Sequence, residues 1–169
     1  LECNLAVIRR FIEAHADVAV IFPVHANPQV TGPAQRILGG HPRIHLTEPL
    51  GYKDFIQVMS RAWLVVSDSG GVQEEAPSLG KPVLVIRENT ERPEAITAGV
   101  ARLVGGDAGS LMRMLQEAYA GCQWVSEARS IENPFGSDDS GRRVADAIEH
   151  LLMHAEKPDL CPAIRGGNG

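Results

Sequence analysis

No stretch of this 169-residue chain comes near the roughly 18 to 20 consecutive apolar residues that a helix needs to span a bilayer. No secretory signal opens it either. Cysteine is scarce and scattered: the three residues, Cys3, Cys122 and Cys161, are odd in number and form no CxxC pair. That spacing disfavours a zinc knuckle or a disulfide framework, and a reducing, cytoplasmic setting is the expectation. Positive charge is in deficit, with 16 Lys and Arg against 21 Asp and Glu, a net charge of −5. Nucleic-acid modules carry a basic face to meet phosphates, so that class is disfavoured. One concentrated phosphate site stays open, because a few backbone amides and one Arg can build it. Internal repeats and low-complexity tracts are absent.

What is present is the composition of an ordinary globular protein, 44% apolar and 22% charged. The length suits one domain, or two small ones, and buries enough surface to fold without staples. The first residue is Leu1 rather than Met, and the opening reads as a cut through a longer protein. Essential residues are therefore expected upstream.

Leu5, Ile8 and Ile12 recur at helical spacing, which predicts a helix ending near His15. The apolar run Val18 to Phe22, closed by Pro23, has the look of a parallel strand covered on both faces. The alternation continues with a helix over 33–38, a strand over 44–46, a helix over 52–62 and a strand over 63–66. Beyond it are expected a helix over 71–79, a strand over 82–86, a helix over 93–98, a strand over 101–104 and a helix over 110–119. A turn-rich loop over 133–141 precedes a last helix with Val144, Ile148, Leu151 and Leu152 on one stripe. The tail over 157–169 is expected to be disordered, leaving one domain over 1–156. Strands alternating with helices predict an α/β fold, a Rossmann-like open parallel sheet with helices on both faces. Ligands of such sheets sit at the carboxyl ends of the strands.

Two of those ends carry the chemistry. Ser69-Gly70-Gly71 follows the strand over 63–66 and opens a helix, whose first amides and dipole favour an anion. Ser69 can cap that helix, and two glycines let a phosphate approach the backbone closely. A tight turn with a capped helix explains the same residues without a ligand. Glu74 and Glu75 then suit either the helix start or a ribose, whose paired hydroxyls a carboxylate binds well. At the second end, Glu91-Arg92-Pro93-Glu94 follows the strand over 82–86. Thr90 or Glu91 is expected to cap the helix there, with Pro93 in its first turn. Arg92 can fork two phosphate oxygens, or simply pair with Glu91 or Glu94.

The run from Asp68 through Pro82, which reads Asp68-Ser69-Gly70-Gly71-Val72-Gln73-Glu74-Glu75-Ala76-Pro77 before Ser78-Leu79-Gly80-Lys81-Pro82, resembles a known signature. Together with Glu91-Arg92-Pro93-Glu94 it is similar to that of the non-hydrolysing UDP-N-acetylglucosamine 2-epimerases. Phe22-Pro23-Val24-His25-Ala26-Asn27-Pro28 and Asn133-Pro134-Phe135-Gly136 match in the same order, so the resemblance covers about residues 4–150. It implies one lobe, the carboxyl-terminal one, of a two-lobed glycosyltransferase-B arrangement. It also implies that Ser69, Gly70, Gly71 and Arg92 meet the UDP diphosphate and that Glu75 takes the ribose. Phe55 would lie beside the uracil and the backbone at Leu50 would read its edge; without the resemblance Phe55 would be a core aromatic. Leu50 replaces a polar residue of some members, so only a main-chain role carries over.

The family reaction inverts C2 of the sugar by eliminating UDP to a glycal and adding it back on the other face. It implies no metal, nicotinamide or other cofactor. Its acid and base carboxylates and a basic His-Arg-Arg-Glu-Asn stretch lie upstream, so no catalytic residue is expected in this chain. The implied partners are a UDP-sugar, the missing amino-terminal lobe and, for the full-length enzyme, a second copy in a homodimer; nucleic acid and membrane are not among them. Cell-envelope polysaccharide biosynthesis is the implied setting. In members activated by their own substrate, the His matching His25 contacts a second UDP-sugar, which makes His25 an allosteric candidate. His150 and His154 are spaced like metal ligands but lack a third, and are expected to face solvent. Two alternatives stay open: a glycosyltransferase or hydrolysing-epimerase lobe, which shares the fold, and a stand-alone nucleotide-sugar-binding regulatory module.

Overall fold

The computed structural model describes residues 1–136 and 139–154. Cys161, the expected tail and Ser137-Asp138 of the turn-rich loop lie outside the described residues. The chain divides into two units, Leu1–Phe135 and Gly136–Gly169.

The first unit alternates as its apolar runs predict. In order come α1 (Glu2–Ala14), β1 (Val20–Pro23), α2 (Pro28–Leu38), β2 (Ile44–Thr47), α3 (Tyr52–Arg61) and β3 (Val65–Ser67). Then follow α4 (Gly70–Glu75), a 3-10 turn (Ala76–Leu79), β4 (Val83–Val85), α5 (Pro93–Thr97), β5 (Ala101–Leu103), α6 (Ala108–Tyr119) and α7 (Gln123–Ala128). Every strand pairing among the described residues is parallel, and the strands form two ladders, β1–β2 and β3–β4–β5. Val20 pairs with Ile44 in the first, while Val65 pairs with Val83 and Val83 with Ala101 in the second.

Strand periodicity explains why β4 sits at the centre. Leu84 points to one face, into a cluster with Leu5, Phe11 and Ile12 of α1, Leu38 of α2 and Leu111 of α6. Val83 and Val85 point to the other, against Met59 of α3, Val72 and Ala76 near α4, and Ala95 of α5. Helices thus cover both faces of the second ladder. Each fully buried aliphatic side chain there contributes on the order of 1.5–3 kcal/mol.

Several boundaries differ from the sequence expectations, each for a local reason. Helix α2 starts at Pro28 rather than Pro33, because Asn27 caps it, with Oδ1 accepting from the Gln29 amide at 2.9 Å. Pro28 fills the first helical position, where a missing N–H costs nothing, and Pro33 is carried inside the helix. Strands β1 and β3 begin two residues later than their apolar runs. The helix expected over 71–79 starts at Gly70 and tightens into the 3-10 turn around Pro77, ending at Gly80 in the left-handed region with φ 62°. The short α7 has no counterpart among the expected elements. Trp124 anchors it, buried, with its indole N–H donating to the Gly99 carbonyl at 2.7 Å and the Arg102 guanidinium 4.5 Å above its ring.

In the second unit α8 spans Ser140–His154, and Val144, Ile148, Leu151 and Leu152 are exposed along it. His154 Nδ1 lies 2.8 Å from the His150 carbonyl and the two rings stack at 4.2 Å.

Candidate functional site

Because β3 and β4 are parallel neighbours, their exit loops emerge side by side at one edge of the ladder. Ser69 ends the first loop in an extended conformation and caps α4, its Oγ accepting from the Val72 amide at 3.5 Å. Its own amide donates to Ser67 Oγ at 3.1 Å. Gly70 and Gly71 form the first helical turn, and neither has a positive φ. A Cβ built on Gly70 would meet the Arg92 guanidinium at 3.6 Å, and one on Gly71 would meet Ser69 Oγ at 3.9 Å, both ordinary contacts. Neither backbone conformation nor packing within the chain therefore calls for glycine at these two positions.

Arg92 closes the loop after β4. The same geometry that places its guanidinium against Gly70 gives it three partners. Its Nε donates to Glu74 Oε1, its Nη1 donates to the Glu91 carbonyl at 3.1 Å, and the Glu91 carboxylate lies at 3.9 Å. The hydrogen bond and charge of Glu74 raise the Arg92 pKa above its ordinary value, so the guanidinium stays cationic. The pairing with Glu91 that the sequence left open is thus present, but the shorter ion pair is with Glu74, on the neighbouring exit helix, which the sequence did not name as a partner. The expected cap also differs. Arg92 itself occupies the N-cap position of α5 without a side-chain bond, and Thr90 instead turns its hydroxyl to accept the Arg92 amide at 3.0 Å.

Adjacent carboxylates on α4 have different fates. Glu74 is engaged by Arg92, whereas the half-buried Glu75 carboxylate makes no hydrogen bond or ion pair among the described residues. Asn133, from the late Asn-Pro-Phe-Gly segment, fastens this region from behind. Its Nδ2 donates to the Glu74 carbonyl at 2.9 Å and to Ser78 Oγ at 2.6 Å. In the sequence Asn133 and Gln73 stand in matching motifs without an evident task, and Thr90 is expected only as a helix cap. An Asn or Gln with buried polar neighbours leaves no periodic signature.

The remaining candidates are distributed. Phe55, on α3, is half-buried and packs against the cluster that holds Val72 and Ala76, next to α4. Leu50 follows β2, half-buried, one residue before the Gly51 that opens α3. His25 follows β1, exposed, its Nδ1 accepting the Asn27 amide at 3.1 Å. Both leave strands of the first ladder, and no side-chain hydrogen bond or ion pair among the described residues ties either to Ser69 or Arg92.

The family model for UDP-N-acetylglucosamine 2-epimerase matches residues 2–149. The chain belongs to that family. It is 48% identical over 140 residues to the UDP-N-acetylglucosamine 2-epimerase of Salmonella typhimurium, covering 80% of this chain and 36% of the relative. To the enzyme of that name from Bacillus subtilis it is 39% identical, over 94% of this chain and 42% of the relative. Among solved structures it is similar to the S. aureus MnaA–UDP co-structure, with a TM-score of 0.87 and 37% identity over 93% of this chain and 43% of that one. The chain thus spans about two fifths of the length of these family members. Its parallel strands and two helical faces are those of one lobe of the glycosyltransferase-B arrangement, as the resemblance implies.

Proposed function

We propose that this chain is the UDP-binding lobe of an enzyme that interconverts UDP-N-acetylglucosamine and UDP-N-acetylmannosamine. The observation that carries the reading is the edge where β3 and β4 end: two glycines that the fold does not itself require open α4, the first of them against a cationic guanidinium, and Glu75 on the same helix makes no ion pair among the described residues. A diphosphate is the ligand such an edge suits. Amides of Gly70 and Gly71 with the Ser69 hydroxyl would take its oxygens, and Arg92 would join them through the Nη2 that lies beside Gly70, while its Nε keeps Glu74. Glu75 would accept from the ribose hydroxyls. Phe55 and the backbone at Leu50 would border the uracil. Support comes from relatives whose structures hold UDP or UDP-GlcNAc, at 37% and 36% identity.

For the reaction, the chain's residues do one part. Elimination of UDP puts negative charge on the departing diphosphate, and fixed amides with Arg92 stabilise charge where it develops. The protons removed and returned at C2 need positioned general acid-base groups. Glu74 is committed to Arg92 and Glu75 to the ribose, so those groups belong to the upstream lobe, as does the closure that shields the glycal from water. His25, on the other ladder's exit, is proposed to touch a second UDP-sugar as an allosteric residue, and the full-length enzyme to be a cytoplasmic homodimer. Solvent deuterium exchange at C2 tests the division of labour. The chain alone should give no exchange above buffer, and adding the upstream lobe should restore it; exchange by the chain alone would place the acid-base groups here.

A further inference from the structure

We propose that Gln73 is a positioning residue for the diphosphate site: its buried amide locks the loop after β3 to the loop after β4 and so fixes where Arg92 stands. The proposal rests on the UDP-binding reading above. Gln73 is only 1% exposed, and a buried primary amide is costly unless both its ends are satisfied. Both are. Nε2 donates to the Ser69 carbonyl at 3.2 Å, and Oε1 accepts from Thr90 Oγ1 at 2.6 Å. The Thr90 hydroxyl has a single proton, which it spends on Gln73, so a lone pair is left for the Arg92 amide at 3.0 Å. A continuous relay therefore runs from the capping residue of α4 to the backbone of Arg92.

The helix itself does not need this side chain. The Gln73 backbone N–H already bonds the Ser69 carbonyl at 3.3 Å, so the amide's contact to the same oxygen is an addition that turns toward the neighbouring loop. Residue chemistry explains why Gln stands here. It can donate to a carbonyl and accept from a hydroxyl at once; Glu would set a second acceptor against the Ser69 carbonyl, and Met would satisfy neither. Glu74, the next residue, holds the far end of Arg92 through Nε. Gln73 thus sets the Arg92 backbone and Glu74 its side chain, from consecutive positions of one helix. Buried on the inner side of that helix, Gln73 acts on the ligand through Arg92.

The test compares UDP and uridine affinities, by titration calorimetry, for the unaltered chain, Gln73→Met, Thr90→Val and Thr90→Ser, with melting temperatures alongside. Gln73→Met and Thr90→Val should each weaken UDP by about ten-fold, the scale of one lost hydrogen bond, while uridine changes by less than about two-fold. Thr90→Ser, which keeps the hydroxyl, should restore UDP binding. In an Arg92→Ala background Thr90→Val should lose its effect, because the two act through one group. Equal losses for UDP and uridine, a lowered melting temperature with unchanged affinities, or additivity with Arg92→Ala would overturn the role. If Gln73→Met fails to fold, the comparison of Thr90→Val with Thr90→Ser decides. An unaltered chain that binds UDP no better than uridine overturns the site reading and this role with it; a UDP preference that both variants keep overturns the role alone.

Discussion

The two ladders of the first unit are built from similar apolar runs and end up in different surroundings. Leu84, in the middle of β4, is fully buried, whereas Ile21, in the middle of β1, is 49% exposed. Val20, Phe22 and Leu46 pack against the cluster beneath α1 and α2, so one face of β1–β2 is covered. On the other face Ile21 and its register partner His45 are exposed, while the second ladder has α3, α4 and α5 on that side. The exit loops differ in the same sense. Those after β3 and β4 are cross-linked through Gln73, Thr90, Arg92 and Glu74; the His25 loop after β1 is held by a local turn. The proposed anion site needs donors fixed before the ligand arrives, and cross-linked loops of this kind suit it.

The largest expected effect comes from closing the anion edge. Gly71→Val should remove detectable UDP binding in calorimetry, since a branched side chain would stand where phosphate oxygens approach. The fold should survive, because a Cβ there meets Ser69 Oγ no closer than 3.9 Å and Val is no worse than Gly in a helix. A variant that unfolds instead would mean that the glycine serves backbone geometry first.

The next effect separates the ladders by stability. Leu84→Ala should cost about 2–5 kcal/mol in denaturant unfolding, the range for a large-to-small change at a buried site. Ile21→Ala should cost under about 1 kcal/mol, as half-exposed positions lose little. Equal costs would show that both faces of β1 are as well packed as those of β4.

A smaller difference is expected in binding. Arg92→Ala should weaken UDP by roughly ten- to hundred-fold, the scale of a charge-assisted hydrogen bond, and uridine far less. His25→Ala should leave UDP affinity at this site within about two-fold. The smallest effect belongs to Ile21→Thr, which should shift unfolding by no more than about 0.5 kcal/mol.

Much of this is legible in the sequence. Apolar runs place each strand, and the position of Ser69-Gly70-Gly71 directly after one of them puts it at a carboxyl end. Capping chemistry identifies Ser69 but underrates Asn27, which extends α2 by more than a turn ahead of Pro33. Three things are out of reach. Periodicity cannot show whether a run is covered on one face or two, which is why Ile21 and Leu84 read alike. A six-residue helix such as α7 is too short to show a period. Long-range polar partners, Arg92 with Glu74 or Gln73 with Thr90, depend on two loops meeting at neighbouring strand ends, which only the β3–β4 pairing reveals.

Whether the nucleotide sits at the exits of the second ladder is tested most directly by amide chemical shifts of the chain titrated with one equivalent of UDP. Binding there predicts the largest shifts at Gly70, Gly71 and Arg92, a smaller one at Leu50, and none at Ile21 or His45. Unmoved glycine amides, with shifts gathered instead along β1–β2, would contradict it.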